Sequence, residues 1–423
     1  MSIELSSLGR VRIAIESGTA NFAVDQSASP SNFIDLPVME GTFAPSRKEE
    51  KLDPMTLQTM VDDHEEKVRG PKSCDVNFST ILAGTGVALP GGVAAASTTT
   101  WALGRLLQTI MGGSILTPST ASLTTVSAGS TSTVIRFPIG TYASGMFTSG
   151  GPIGLTINGR VEVREISATA SNPGSIGFDT VTVPLAFSAS PSTGASAYTG
   201  YTFWLSENPV DSLQILADGM EDTDKFVYAG LQGGFDLDVT TGQFPKLSAK
   251  LNGPYWAKRS SASIAAGSVS LFSPALITDC EFIVGTVGST TRNLVHCTNE
   301  TWTPGIEYID VKSSTASSTV LRKKRNRGRA IAGKFTTYRD GSSFDFEAAD
   351  SGKTDLYLLK QLGSTAGSIV TLVAPTVQCV TTNNADASGV AGVEVEWEGR
   401  NSTVFGTPTA GTYRSSAFKI FIL

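Results

Sequence analysis

A stretch of alternating apolar and polar residues, 234–255, constrains the fold more than any other part of the chain. Its first half is Phe235, Asp236, Leu237, Asp238 and Val239, and its second half alternates Leu247, Ala249 and Leu251 with Lys246, Ser248 and Lys250. Successive side chains of a strand point to opposite faces, so each half predicts a strand with one buried face and one charged face. Gly242 can take a positive φ in the turn, for which we predict residues 240–243. The sequence therefore predicts a long antiparallel hairpin, which is typical of a scaffold.

The remainder of the chain favours many short strands. Only 17 % of the 423 residues are charged, below the roughly 25 % of ordinary globular chains, and there are 43 glycines. Gly41 to Lys51 has the composition of a charged loop. Pro37 indicates an edge strand or an arm, because proline has no backbone N–H to donate to a neighbouring strand. The other predicted strands are 11–15, 34–38, 74–82, 132–137, 153–157, 161–166, 180–187, 203–205, 212–217, 225–230, 268–272, 281–284, 306–311, 330–338, 344–347, 369–373, 377–382, 392–400 and 418–423. The last of these is apolar and must be paired, because a free apolar strand invites aggregation.

Three segments have helical spacing. The first starts at Asp53-Pro54, an N-cap carboxylate followed by proline, and Gly70-Pro71 stops it. The second is capped by residues 98–100 and ends at Gly112-Gly113. Its apolar face is formed by Leu103, Leu106, Leu107 and Ile110. The third is predicted over residues 351–362, with Leu356, Leu359 and Leu362 facing inward.

Residues 114–200 are rich in Ser, Thr, Gly and Ala, and we interpret them as a small, separately folded β-barrel insertion. Asn158-Gly159 is a turn signal. A two-residue loop there would place Leu155 opposite Glu162. A three-residue loop through Arg160 pairs Ile157 with Val161 and Leu155 with Val163. We predict the second register because it pairs apolar residues with each other.

The sequence has little that could perform catalysis. It contains two histidines, and His64 lies on the apolar face of the first predicted helix; no dinucleotide, Walker, HExxH or G-x-S-x-G pattern is present. The acid pairs Asp236/Asp238 and Glu394/Glu396 share a strand face, as a glycosidase couple could, although strand alternation alone predicts a solvated face. No pair among Cys74, Cys280, Cys297 and Cys379 has metal-ligand spacing, so we expect buried reduced thiols. We therefore expect a protein that is not an enzyme and binds no cofactor.

Charge and hydropathy limit the partners. The net charge is −6 and the pI is about 5.2, which argues against a general affinity for nucleic acid or anionic membranes. No apolar run approaches the roughly 20 residues of a membrane span, and the N-terminus is not typical of a signal peptide. One basic cluster stands out: Arg322, Lys323, Lys324, Arg325, Arg327 and Arg329. It is consistent with a contact to an acidic neighbouring copy, with a solvated loop or with phosphate binding.

Four segments, taken in order, resemble tail tube proteins of long-tailed bacteriophages, in the large variety that carries an inserted domain. They are Phe33–Gly41, which is similar to the family's N-terminal arm; the passage from Asp53-Pro54 through Gly70–Gly86; the helix Ala102–Gly113; and the hairpin Gly234–Gly253. The resemblance covers roughly residues 33–113 and 201–400. The long Ser-rich N-terminus and the basic cluster depart from it.

The resemblance implies a mainly β fold: a two-sheet sandwich or barrel core with flanking helices and an inserted small β-barrel domain. The division is an extended arm at 1–54, a core at 55–113 and 201–423, and the insertion at 114–200. Family members form hexameric rings that stack into a tube, assembled in the host cytoplasm, through which DNA passes as transient cargo. Their other partners are the tape measure, terminator and distal tail proteins, and no membrane is involved.

The resemblance and the alternation together suggest functional residues. We expect Phe33, Ile34, Leu36 and Val38 to contact a neighbouring subunit, and Asp236, Asp238, Lys246 and Lys250 to face the lumen. An acidic lumen repels phosphates, so DNA would slide without adhering. Two alternatives remain. One is another virion β-protein, such as a capsid-decorating or surface protein. The other is a secreted carbohydrate-active protein that uses paired carboxylates, for which a secretion signal and clustered aromatic residues would be expected.

Overall fold

The computed structural model shows a mainly β protein, with 58 % strand and two α-helices among the residues it describes. Those residues are 10–16, 23, 33–52, 68–86, 101–112, 115–116, 124–141, 146–206, 211–221, 224–240, 243–259, 273–274, 280–306, 308–312, 320–325, 331–339, 344–387, 389–402, 404 and 416–423. The prediction of a mainly β chain is confirmed. Neither helix in these ranges is long and apolar enough to cross a membrane.

The elements follow in chain order. The first are β1 (Arg10–Glu16), β2 (Ile34–Asp35), β3 (Ala44–Leu52), β4 (Val68–Ile81), β5 (Ala83–Gly84) and α1 (Ala102–Ile110). The next are β6 (Ile115–Leu116), β7 (Thr124–Thr125), β8 (Val134–Pro138), β9 (Pro152–Ile157), β10 (Arg160–Glu165), β11 (Ala168–Ala170), β12 (Phe178–Thr182) and β13 (Ser196–Tyr198).

The second half of the chain contains the longest strands. Its first elements are β14 (Tyr201–Trp204), β15 (Ser212–Glu221), β16 (Asp224–Asp238), β17 (Lys246–Gly253), β18 (Tyr255–Arg259), β19 (Ser273–Pro274), β20 (Cys280–Thr286), β21 (Asn293–Leu294) and β22 (Cys297–Pro304). The last are β23 (Tyr308–Lys312), β24 (Val320–Arg325), β25 (Ile331–Tyr338), α2 (Phe346–Ser351), β26 (Leu356–Leu362), β27 (Val370–Ala387), β28 (Val390–Gly399) and β29 (Lys419–Ile422).

Two long strands, β16 and β27, connect three antiparallel sheet segments. The first segment runs β3-β4-β17-β16-β22-β25-β28-β27, using the second halves of both long strands. The second joins the first half of β16 to β18 on one side and to β15, β1 and β2 on the other. The third joins the first half of β27 to β26 and β20 on one side and to β29, β14 and β6 on the other. Residues of all three segments contribute to one large hydrophobic core.

The predicted hairpin at 234–255 is confirmed. In β16 and β17, Leu237 lies opposite Leu247 and Asp238 opposite Lys246, and the Gln243 amide donates to the Thr240 carbonyl in the turn at 3.2 Å. The apolar positions are buried in the large core. Alternation was sufficient here because one face of the pair is buried and the other is not, which fixes the register.

The second predicted helix is also confirmed. Its four leucine and isoleucine positions are buried, and the helix ends at Ile110 with Met111 as its C-cap, followed by Gly112 at a φ of +101°. Its N-cap residue is Trp101, with no side-chain cap, and the proposed cap residues 98–100 lie outside the described residues. Most of the first predicted helix, including His64, lies outside the described residues. Residues 68–71, which were expected to end that helix, instead begin β4.

Two segments were predicted with the wrong secondary structure. Residues 344–347, predicted as a strand, lie at the start of α2, where Asp345 Oδ1 accepts the Ala348 amide at 2.9 Å. Residues 351–362, predicted as a helix, contain β26, whose seven positions are all buried. Tyr357 and Leu359 face one core while Leu356, Leu358 and Leu362 face the other. A strand buried on both sides has no polar alternation, so leucines spaced by three were mistaken for a helical face.

The charged segment 41–51, predicted as a loop, instead contains most of β3. This strand pairs with β4 from Ala44 to Leu52. Charged residues are common on edge strands, where they discourage pairing with other chains, and that composition resembles a loop when only the sequence is available.

The described strands of the insertion form two small sheets, β10-β9-β13-β7 and β11-β12-β8, around a core of their own. The predicted register of β9 and β10 is wrong: Ile157 lies opposite Arg160 and Leu155 opposite Glu162, across a two-residue turn with positive φ at both Asn158 and Gly159. Glu162 can occupy this buried position because it accepts hydrogen bonds from Arg164, at 3.0 Å, and from the Ser188 amide, at 2.9 Å. Burial lowers the pKa of Arg164 to about 10, against the opposing charge of Glu162.

The insertion also packs on the core of the chain. Val161 and Val163 of β10 share a second core with strands β20, β26, β27 and β29. The Gln361 side chain bridges the two parts: its Nε2 donates to the Val161 carbonyl at 2.7 Å, and its Oε1 accepts the Val163 amide at 2.8 Å. The assignment of 114–200 as a domain stays a prediction.

The apolar C-terminal strand is paired, as predicted, but its partners lie in its own chain. Strand β29 lies between β14 and β27. Its Lys419 is fully buried and forms an ion pair with Glu165 of β10, which also accepts the Tyr357 hydroxyl at 2.7 Å. Assembly with other copies is therefore not needed to cover this strand.

The burial of Tyr228 predicts a loss of stability at alkaline pH. Burial raises the pKa of Tyr228 to about 12, although Arg47 opposes the shift. The ordinary pKa of a tyrosine is 10.0, so this stabilisation is complete below pH 10 and is lost as the pH rises from 10 to 12. We expect the free energy of unfolding of Tyr228→Phe to decline less steeply over this range than that of the wild type, as measured by urea denaturation. Parallel curves would contradict this assignment.

Candidate functional site

One face of the first sheet segment is polar across eight strands, and we call it the polar face. It carries four lysines and six carboxylates: Lys48, Lys246, Lys250, Lys334, Asp75, Asp236, Asp238, Glu394, Glu396 and Glu398. The predicted hairpin supplies four of these charges, so the structure brings Asp236, Asp238, Lys246 and Lys250 together as expected. Carboxylates outnumber lysines, which makes the face net acidic.

The strand registers place these side chains in continuous rows. One row crosses seven strands and consists of Ile81, Lys246, Asp238, Thr301, Lys334, Glu396 and Thr381. The next row lies on the opposite, buried face and contains Leu247, Leu237, Trp302, Gly333 and Trp397. Strand alternation therefore holds across the whole segment, with water on one side and the large core on the other.

Ion pairs between neighbouring strands neutralise part of the polar face. Lys250 Nζ lies 2.8 Å from Asp236, Lys334 Nζ 2.8 Å from Glu394, and Lys48 Nζ 3.5 Å from Asp75. The hydrogen bond to Glu394 raises the pKa of Lys334. These pairs are solvent-exposed, so each adds about 0–1 kcal/mol of stability at most. Their main effect is to fix the charge pattern of the surface.

A shallow groove of about 630 Å³ crosses the polar face near Gly233 and Gly234. Asp75, Asn77 and Lys250 are among its lining residues. A Cβ on Gly234 would meet nothing closer than 3.5 Å, so the groove is open there because the strand lacks a side chain. The groove therefore has mixed walls, with Phe235, Leu251 and Ile306 lining it beside the polar side chains.

The predicted arm residues lie within their own chain. Phe33, Ile34 and Leu36 are buried, and Val38 is half-buried against the large core. Ile34 pairs with Ile13 of β1, and the Leu36 amide donates to the Val11 carbonyl at 2.8 Å. Further on, the Thr80 hydroxyl donates to the Pro37 carbonyl at 2.6 Å. The segment thus connects β1 to β4, and its contact with a second copy stays a prediction.

The basic cluster begins on a two-stranded ribbon. Arg322, Lys323, Lys324 and Arg325 belong to β24, which pairs with β23 and places position 323 opposite Asp310. Arg327 and Arg329 lie outside the described residues. The structure therefore assigns the first four residues a strand backbone, and the role of the cluster as a subunit contact stays a prediction.

Within the part of the chain that the structure describes, no three His, Cys, Asp or Glu residues are placed to hold a metal ion. Asp236 is held by Lys250, and Asp238 accepts the Thr240 hydroxyl at 2.6 Å. Both carboxylates belong to an open sheet face. This geometry agrees with the solvated strand face that alternation predicts.

No protein-family model matches the chain, and no curated protein matches it either.

Sequence reasoning did not place the glutamates of β28 or Lys334 beside the hairpin. Alternation of Glu394, Glu396 and Glu398 with apolar residues was visible, and it identified a half-buried strand. The order of strands in the sheet was not visible, because pairing partners as distant as β16 and β22 leave no local signal. The buried ions Glu165, Lys419, Glu300 and Lys360 were missed for the same reason.

Proposed function

We propose that the protein is a structural tail tube protein of a long-tailed bacteriophage, which assembles from many copies and surrounds a channel for DNA. The observation that carries this proposal is the polar face: a wide sheet surface, net acidic and wet, backed by a continuous apolar core. A broad, wet sheet face suits the wall of a channel, and its net negative charge would keep nucleic acid from adhering. The finer fold in this proposal is a two-sheet tail-tube core with flanking helices.

The edges of the first sheet segment support assembly by strand pairing. Among the described residues, β3 pairs only with β4, and residues 378–387 of β27 pair only with β28. One carbonyl of β3, that of Lys48, accepts the Trp256 indole N–H at 3.2 Å. Edge strands present unpaired backbone groups and are templates for another chain. We propose that β3 of one copy pairs with the second half of β27 of the next, so that six copies close a ring.

A charge on one edge tests this pairing. Val380 lies at a register shift in β27 and is 52 % exposed. We expect Val380→Lys to weaken self-association at least about tenfold, because an edge lysine must be desolvated when another strand is added. Sedimentation velocity over a concentration series measures the effect.

The matched control is Val390→Lys, because Val390 is 53 % exposed and lies at the β27–β28 hairpin end, away from the edge. This variant should associate as the wild type does. Equal association of both variants with the wild type would show that the β27 edge is not an interface.

The charge of the polar face predicts weak affinity for DNA. Reversing two of its exposed carboxylates, Asp238→Lys with Glu396→Lys, should create binding to duplex DNA that is measurable at 50 mM salt and lost by about 200 mM. Fluorescence anisotropy of a short labelled duplex measures this. The control reverses two exposed acids that are not among the charged residues of the polar face, Glu40 and Glu347. Equal DNA binding by both double variants would show that the position of the charge does not matter.

A further inference from the structure

A cavity of about 780 Å³ brings two of the four cysteines to one place. Cys280 and Cys297 both line it, together with Phe282, Val295 and Lys360. Both cysteines are thiols in the structure and are only half-buried. Cys74, in contrast, is fully buried in the large core. The cavity therefore gives a soluble reagent a route to this pair of sulfur atoms.

The register of β20 and β21 runs toward the two cysteines. Ile283 of β20 lies opposite Leu294 of β21, and the Val295 amide donates to the Phe282 carbonyl at 2.9 Å. If this antiparallel register continued for two residues beyond the Phe282–Val295 hydrogen bond, Cys280 would lie opposite Cys297, while Cys280 also pairs with Leu362 and Cys297 with Thr337. Residues opposite each other in antiparallel strands have Cα atoms about 4.5–5.5 Å apart, and a disulfide requires about 4.4–6.8 Å.

The two side chains also share a face. Cys280 and Cys297 pack against the large core, as Phe282 and Val295 do. Ile283, the next residue in the strand, faces the second core instead. The side chains are close enough to interact electrostatically: burial raises the pKa of Cys297 well above its usual value, and the nearby Glu300 and Cys280 raise it further against the opposing Lys360 ammonium.

We propose that Cys280 and Cys297 form a dithiol site that closes to a disulfide when the protein meets a small disulfide oxidant such as glutathione disulfide. The Cys280 thiolate attacks one glutathione sulfur and releases one glutathione thiolate, which leaves a mixed disulfide. The Cys297 thiolate then attacks the Cys280 sulfur and releases the second glutathione. Two protein thiols are oxidised and one glutathione disulfide is reduced to two glutathione thiols, which take up the two protons that the cysteines release.

The bond would join two sheet segments. Cys280 begins β20, in the third segment, whereas Cys297 begins β22, in the segment that carries the polar face. The closed disulfide would constrain the loop between them and stabilise this junction against unfolding. The site does not depend on the proposed tube, because all of its atoms belong to one copy.

Peptide mapping of the wild-type chain tests the proposal. The native protein is incubated with glutathione disulfide at pH 8.5, blocked with N-ethylmaleimide and cleaved with trypsin. Arg292 separates the two cysteines, so they fall in peptides 260–292 and 293–312, each with one cysteine. We expect two of the four thiols to be lost and these two peptides to be linked. The reaction should be faster at pH 8.5 than at pH 7, because Cys297 must ionise.

Three further measurements make the result decisive. Cys379→Ser should still give the linked peptides, and Cys280→Ser should give none. Reduction with dithiothreitol should reverse the link and the accompanying rise in melting temperature. Separate glutathione adducts on Cys280 and Cys297 without a link, or linked peptides that contain Cys74 or Cys379 in the native protein, would overturn the proposal.

Discussion

Replacing Lys419 by methionine should lower the free energy of unfolding by about 3–5 kcal/mol. The Lys419 ammonium and the Glu165 carboxylate form an ion pair in which both side chains are 0 % exposed. Removing the ammonium leaves a buried carboxylate that accepts a hydrogen bond from the Tyr357 hydroxyl, at 2.7 Å. An uncompensated charge in the interior is costly because water cannot solvate it. Urea denaturation followed by far-UV circular dichroism measures the loss.

The control is the same substitution at an exposed ion pair. Lys250 lies 2.8 Å from Asp236, with side-chain exposures of 69 % and 38 %, so Lys250→Met should cost about 0–1 kcal/mol. The double variant Glu165→Gln with Lys419→Met should recover much of the stability, because a neutral amide oxygen can still accept the Tyr357 hydroxyl. If Lys419→Met costs no more than Lys250→Met, the buried pair does not hold the insertion to the core.

Replacing Gly333 by alanine should destabilise the protein by about 1–3 kcal/mol, through overpacking. Gly333 lies between Trp302 and Trp397 in the buried row, and these rings meet edge to face with centroids 4.9 Å apart. A Cβ at this position would lie 2.2 Å from Trp397 Cζ2 and 2.6 Å from the Thr301 carbonyl oxygen. The rings or the backbone must therefore shift.

Gly234 provides the matched control for this substitution. It lies in β16, on the other side of β22, and a Cβ there would be 3.5 Å from its nearest atom. Gly234→Ala should change stability by less than about 1 kcal/mol. Thermal unfolding of both variants measures the difference, and equal effects would mean that the tryptophan pair does not require a glycine between its members.

The sequence was most informative where one strand face is buried and the other is wet. The hairpin of β16 and β17 and the strand β28 were predicted from alternation alone, and the helix α1 from its leucine spacing. Prediction failed where both faces are buried: β26 was predicted as a helix, and the register of β10 was chosen because it paired apolar residues with each other. In both strands, polar side chains are tolerated because distant residues satisfy them, as Gln361 and Glu162 show.

The candidate site was predicted only in part, for a related reason. Each strand of the polar face shows its charged side in the sequence, so Asp236, Asp238, Lys246 and Lys250 could be identified. The neighbours of those strands could not, since β22, β25 and β28 join the hairpin through pairings across 27 to 66 residues. The packing of Ile34 and Leu36 against β1 of their own chain is likewise a long-range contact, and local sequence patterns do not predict such contacts.

Electron microscopy of the purified full-length protein at rising concentration tests the central claim most directly. We expect open hollow tubes built from six-fold rings, with the polar face toward the channel and the insertion on the outside, where it leaves the channel clear. Closed particles with no channel would favour a different virion protein. A monodisperse monomer at high concentration, in which no second copy pairs with the outer edge of β3 or of the second half of β27, would contradict the proposed function.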